Sequence, residues 1–222
     1  MKRSGVFSTL LASLGAVALL LLLHSIIREN VPAEWRQTWP WKLKLLDLQS
    51  ATTAVIGTLG AYLARAQYAR AVRPAIGYFG RVTDDVAPHG KLAWTCHLIN
   101  GAQDLATVTA VSYVVRLSSA GAGAPADDEP RWMAYRETIS AIESQDLTDR
   151  EDFALDLIGA GRPVPAQGLM FIGWFSEKAM QRIETVYVKV RVIDRVGDTH
   201  ERVLDLFKGV NRSPRHPDAP PF

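Results

Sequence analysis

The 222-residue chain has one cysteine, Cys96, and its five histidines never fall at a metal-ligand spacing. A single cysteine excludes an intrachain disulfide framework and any metal site built from several cysteines, and it fits a reducing compartment. H-E-x-x-H, C-x-x-C and G-x-S-x-G are all missing, so metalloprotease, dithiol and nucleophile-elbow chemistry each lack their residues. Gly121-Ala122-Gly123-Ala124 is not followed by Lys-Ser/Thr and reads as linker rather than as a phosphate loop. Cys96 and His97 are neighbours in an extended stretch, so they point to opposite faces and form no dyad. Asp146, Asp149, Glu151 and Asp152 cluster without the glycine-containing spacing of a calcium loop and read as a solvated acidic loop. The sequence implies no cofactor, no metal and no enzymatic activity.

Acidic residues are scarce at one end. Residues 1–73 carry nine Lys/Arg against three acids, Glu29, Glu34 and Asp47, whereas residues 74–210 carry fourteen against nineteen. The basic excess lies where it can meet anionic lipid headgroups. The acidic remainder gives nucleic-acid binding no support, and none is expected.

What is present begins with an apolar run at residues 6–27, VFSTLLASLGAVALLLLLHSII. As a helix it extends roughly 33 Å, enough to cross a bilayer. Met1-Lys2-Arg3 and Val31-Pro32-Ala33 have the look of a signal peptide and its cleavage site. The run exceeds the usual h-region, however, and Arg28-Glu29-Asn30 intervenes, so a retained helix is expected. A second, softer span is expected at residues 45–64, with Asp47 in its first turn near the headgroups. Ser8, Ala12 and Ala16 on the first helix and Thr53, Gly57 and Ala61 on the second each recur at i, i+4, i+8. Such small stripes predict a close helix–helix seam, which Gly57→Leu would disrupt.

Trp35, Trp39 and Trp41 in the connecting loop predict an aromatic belt at one interface. Arg65, Arg70 and Arg73 predict a basic edge where the second helix leaves the bilayer, ending at Pro74. The loop holds four Lys/Arg and the opposite side six. The expectation is a multi-pass plasma (inner) membrane protein with both termini cytoplasmic.

From residue 74 the pattern changes to alternation. Strands are expected at 75–82, 92–99, 105–117, 131–136, 153–158, 169–175, 185–193 and 199–207. The stretch LMFIGWF is apolar on both faces, as a central strand requires. The fold class expected is a membrane-anchored all-β protein: two transmembrane helices (1–73), then an antiparallel β-sandwich or small barrel of about eight strands (74–210). Ser118 to Pro130 reads as a flexible acidic loop, Ser140-Ala141-Ile142-Glu143 as a capping box opening a short helix, and Ser176 as the cap of a single turn. Residues 211–222 hold four prolines and read as a disordered tail with two Pro-x-x-Pro motifs.

The closing hairpin is the most explicit feature. Val186, Val188, Val190 and Val192 share one face, and Asp194 and Gly197 bracket a turn. A three-residue loop, Arg195-Val196-Gly197, pairs Val188 with Leu204, Val186 with Leu206 and Arg191 with Glu201. A two-residue loop would instead set Val188 against Asp205 and bring carboxylates into the core.

In layout, a two-helix hairpin followed by a β-sandwich resembles subunit II of the haem-copper oxidases, whose dinuclear copper takes two cysteines, two histidines and a methionine. With Cys96 alone, the likeness stops at layout. The layout is also similar to the two-span membrane effectors of bacterial cyclic-nucleotide defence systems, which implies a β-barrel nucleotide sensor. The leading expectation is a membrane-tethered module whose β domain docks a protein partner or its own copies; the alternative is a ligand-sensing effector.

Overall fold

The computed structural model describes residues 2–4, 6–118 and 131–219, with side chains described from residue 9 onward. Most of the acidic Gly/Ala loop therefore lies outside the described residues. The chain divides into a helical unit, residues 4–71, and a second unit holding residues 1–3 and 72–222.

The helical unit is a hairpin of α1 (Val6–Asn30) and α2 (Leu48–Ala71). Within α1, Thr9–Asn30 holds an 18-residue stretch of mean hydropathy 2.4 and is long and apolar enough to cross a membrane. Among the described residues no other helix meets that test, so the second of the two expected spans is not shown. The physical reason is composition: α2 carries Gln49, Thr52, Thr53, Thr58, Arg65, Gln67 and Arg70 among its apolar residues. Its threonines turn their hydroxyls back onto their own helix, Thr52 to Leu48 O (2.8 Å), Thr53 to Gln49 O (2.9 Å) and Thr58 to Ala54 O (2.8 Å). Each donor is thereby satisfied without a neighbour.

The second unit stacks two antiparallel sheets. Its strands are β1 (Lys2–Ser4), β2 (Ile76–Thr83), β3 (Ala93–Asn100), β4 (Ala106–Leu117), β5 (Phe153–Leu155), β6 (Pro163–Val164), β7 (Gly168–Ser176), β8 (Ile183–Ile193) and β9 (Thr199–Asp205). The first sheet runs β1-β9-β8-β4-β6 and the second β2-β3-β7-β5. β7 lies between β3 and β5; its Met170, Ile172 and Phe175 join the core, while Trp174 and Phe171 on the other face pack with Ala87, Ala93 and Ala154. The inner faces meet in one core, with Val108, Val186, Val188 and Leu206 from the first sheet side and Leu98, Phe153 and Ile172 from the second all fully buried. Side chains fill the interior, each large one contributing about 1.5–3 kcal/mol.

In the β8–β9 hairpin Val188 faces Leu204, Val190 faces Arg202 and Arg191 faces Glu201. Leu206 N–H donates to Val186 O at 2.9 Å, so the three-residue loop sets the register. Gly197 has φ +82°, the left-handed conformation that a G1 bulge demands. Asp194 N–H closes the turn on Asp198 O at 3.0 Å.

Three local expectations are corrected. Residues 131–136 form no strand. Only Met133 pairs, with reciprocal hydrogen bonds to Tyr113 of 2.8 and 3.0 Å, and Tyr135 opens α3 (Tyr135–Glu143). Glu137 accepts from Ala134 N–H (3.1 Å) at the helix start, so Ser140 and Glu143, read as a capping box, lie in the last turns of a helix already formed. Tyr135, Thr138, Ile139 and Ile142 recur at helical spacing, and Thr138 and Ile142 are buried. β5 stops at Leu155, leaving Leu157 61% exposed.

The proline-rich segment 211–219, expected to be disordered, makes specific backbone contacts. α4 (Glu177–Arg182) starts at Ser176, whose Oγ accepts from Ala179 N–H at 3.3 Å. At the other end Arg212 donates to Met180 O, a carbonyl the helix end leaves open, and to Ile183 O (2.8 Å) and Glu184 O at the start of β8. Further on, Asp218 N–H donates to Val82 O (2.9 Å) while Val82 N–H donates to Asp218 Oδ2 (2.7 Å). Proline excludes this segment from a ladder, yet the charged residues between the prolines find backbone partners.

Candidate functional site: the helical hairpin and the sandwich surface

α1 and α2 face each other across a crevice of about 290 Å³ with nearly all-apolar walls. Ala12, Gly15 and Ala16 line it from α1, and Val55, Thr58 and Tyr62 from α2. A Cβ added at Gly15 would lie 4.0 Å from Thr58 Oγ1. The stripe Thr53, Gly57, Ala61 is turned elsewhere: Thr53 and Ala61 are exposed, and a Cβ at Gly57 would meet nothing within 4 Å. Ser8 lies where side chains are not described. The residue missed was Gly15, whose signal was its place one position from the Ala12/Ala16 stripe.

The loop ties itself to the end of α1. Ser25 Oγ donates to Leu46 O (2.9 Å), Arg28 Nε to Trp41 O (2.9 Å) and Arg36 Nε to Val31 O (2.9 Å). Trp41 stacks on His24 with ring centroids 5.6 Å apart. Trp35 and Trp39 are left 63% and 82% exposed, projecting large amphipathic rings from the end of the hairpin. Arg65 is half-buried on α2, Arg70 is exposed in its last turn, and Arg73 is exposed just beyond it.

In the sandwich unit several chemically capable groups are buried. Cys96 Sγ faces inward, 3.7 Å from Tyr78 Oη and 3.6 Å from Leu206 O, and burial pushes its thiol up to about 12. The same desolvation, reinforced by Cys96, raises Tyr78 far above the usual phenol range. His97 points the other way, between Phe79 (6.2 Å) and Phe171 (5.5 Å), and its Nδ1 has no hydrogen-bond partner among the described residues. Burial lowers its pKa, with Arg81 adding to the effect and Asp85 opposing it.

The Asp194–His200 pair was not anticipated. Asp194 Oδ2 lies 2.7 Å from His200 Nε2, while Oδ1 accepts from Val196 N–H (3.0 Å) and Asp198 N–H (2.9 Å). Both side chains are almost wholly buried. His200 faces inward opposite Val192 in the hairpin register, a placement the alternation already contained. Through these bonds the Asp194 carboxylate ties His200 to the N–H groups of the turn.

The acidic loop is likewise built in. Asp152 Oδ2 takes Lys178 Nζ at 2.8 Å and Thr148 N–H at 3.0 Å. Burial pulls its carboxyl upward, but Lys178 and the backbone donor outweigh it and hold the pKa below the usual value. Among the described residues no three metal-ligating side chains converge.

On the outer face of the second sheet lies a hollow of about 560 Å³, walled by Tyr135, Arg150, Ala154, Asp156, Phe171 and Trp174. Asp156 is bridged to Arg162 at 2.7 Å. Arg150 has φ +65°, a conformation that non-glycine residues rarely adopt. The fold and these surfaces define a two-part protein, a helical hairpin whose first helix is long and apolar enough to cross a membrane and a β-rich unit of two packed sheets. No protein-family model matches the chain, and a search of curated proteins finds no match.

Proposed function

We propose that the chain is a membrane-tethered binding module. In this reading α1 and α2 both span the plasma membrane, both termini are cytoplasmic, and the sandwich docks a protein partner or its own copies. The observation that carries the reading is the outward face of the hairpin. Leu10, Leu14, Val17, Leu20 and Leu23 on α1 and Ile56, Leu59 and Leu63 on α2 are all exposed, and Trp35 and Trp39 stand at the closed end. A surface of that kind is stable against lipid and unstable against water. The Lys/Arg count, six on the terminal side against four in the loop, supports the orientation.

A C-terminal phosphatase reporter, active only outside the cytoplasm, should be silent, and the full chain should stay in the membrane pellet after alkaline extraction. An active phosphatase overturns the orientation, and release into the supernatant overturns the anchor.

The alternative reading, a ligand-sensing two-span effector, draws support from the 560 Å³ hollow. With the sandwich interior filled, a ligand would sit on that outer face and not inside a barrel.

A further inference from the structure

β2 is the edge of the second sheet. Gly101 N–H donates to Ala75 O (3.0 Å), so in the antiparallel register the backbone groups of odd-numbered residues face β3. Those of Tyr78, Gly80 and Val82 therefore point off the sheet. Val82 is already bonded, its N–H to Asp218 Oδ2 and its C=O to Asp218 N–H. Among the described residues nothing pairs with the outward backbone groups of Tyr78 and Gly80.

These groups open into a groove of about 580 Å³ whose far wall includes Arg202, Leu204, Asp205 and Lys208. Asp205 is turned into the fold, its Oδ1 accepting from Thr185 Oγ1 and from Phe207 N–H (2.9 Å). Arg202 and Lys208 are exposed, and neither forms an ion pair among the described residues. The groove is thus locally basic within an acidic domain. Among the described residues the one hydrogen-bonded to this edge, Asp218, is itself an aspartate.

We propose that the groove binds an extended acidic segment of a partner protein by strand addition to β2. The peptide backbone pairs with Tyr78 and Gly80, and its carboxylates meet Arg202 and Lys208. Asp218 holds the next rung and guards the edge. This deepens the binding-module reading and rests on it.

The test uses the full chain in detergent micelles and a labelled nine-residue peptide alternating Asp and Val, with a Lys/Val counterpart. The acidic peptide should bind at least tenfold more tightly than the basic one, weaken as salt is raised, and protect the Gly80 amide from hydrogen exchange. Arg202→Glu with Lys208→Glu should lose at least tenfold in affinity at unchanged melting temperature, and Asp218→Ala should gain affinity. Equal binding of the two peptides, an unaffected double variant, or a Gly80 amide that stays unprotected overturns the proposal. So does Gly80 protection that rises with protein concentration without peptide, which would assign the edge to a second copy. Membrane retention without peptide binding sinks this proposal and leaves the anchor standing; peptide binding without retention does the reverse.

Discussion

Along β8, in the β8–β9 hairpin, every second side chain from Val186 to Val192 is sealed, Val186, Val188, Val190 and Val192 being no more than 1% exposed. In the α1–α2 hairpin the facing side chains leave a crevice of about 290 Å³, and the outward leucines are exposed. The difference lies in what a small displacement costs. A one-residue slip between β8 and β9 drives carboxylates into the core, a penalty of several kcal/mol. Turning α2 by one residue, about 100°, exchanges one set of small and apolar residues for another. Register is therefore over-determined in the β hairpin, while the crevice between Gly15 and Thr58 imposes no comparable penalty on helix rotation.

The sharpest test of this contrast is close to all-or-none. Gly15→Cys with Thr58→Cys should cross-link on mild oxidation, and Gly15→Cys with Gly57→Cys should not. Cys96 is buried and, with its thiol pushed up to about 12, should stay silent. Cross-linking of the Gly57 pair alone would restore the seam read from the small-residue stripe.

Next in size is Asp194→Ala. It strands His200 and the N–H groups of Val196 and Asp198 without an acceptor, and should cost about 3–5 kcal/mol in chemical denaturation. A loss under about 1 kcal/mol would mean that the turn holds without its carboxylate. Gly197→Val, which forces a β-branched residue into φ +82°, should cost about 1–2 kcal/mol while keeping the register. A changed β8–β9 pairing by amide exchange would show that the glycine, and not the core valines, sets it. Smallest is Arg191→Ala. The Arg191 Nη2 to Glu201 Oε2 contact is 2.7 Å, but the arginine side chain is 51% exposed. The expected loss is about 0.2–1 kcal/mol, vanishing in high salt.

Legibility follows the same physics. The sheet strands, the central place of β7 and the β8–β9 register were readable because period-two alternation combines with a heavy penalty for buried charge. α3 was not, because nine residues carry too few turns for the pattern at Tyr135, Thr138, Ile139 and Ile142 to stand out from a strand. β6, two residues long, has no period to read. The tryptophan cluster of the loop was visible in the sequence, whereas the tie of Trp41 to His24 and Arg28 depends on the path of the chain. The groove beside β2 combines residues 77–80 with 202–209, and no spacing in a linear string brings those together. Asp194 was singled out as a turn residue, but its partner was visible only once the hairpin register placed His200 inside.

The clasp between Val82 and Asp218 also bears on the order in which the molecule is made. The two residues are 136 positions apart, so β2 leaves the ribosome and pairs with β3 long before its outer edge can be closed. Through that interval the N–H and C=O of Val82 join those of Tyr78 and Gly80 in one continuous unpaired strip. An open strip of strand is what chaperones shield and what neighbouring nascent chains add to. The clasp is thus a late step of maturation, and a chain stalled before residue 218 carries a longer adhesive edge than the finished protein.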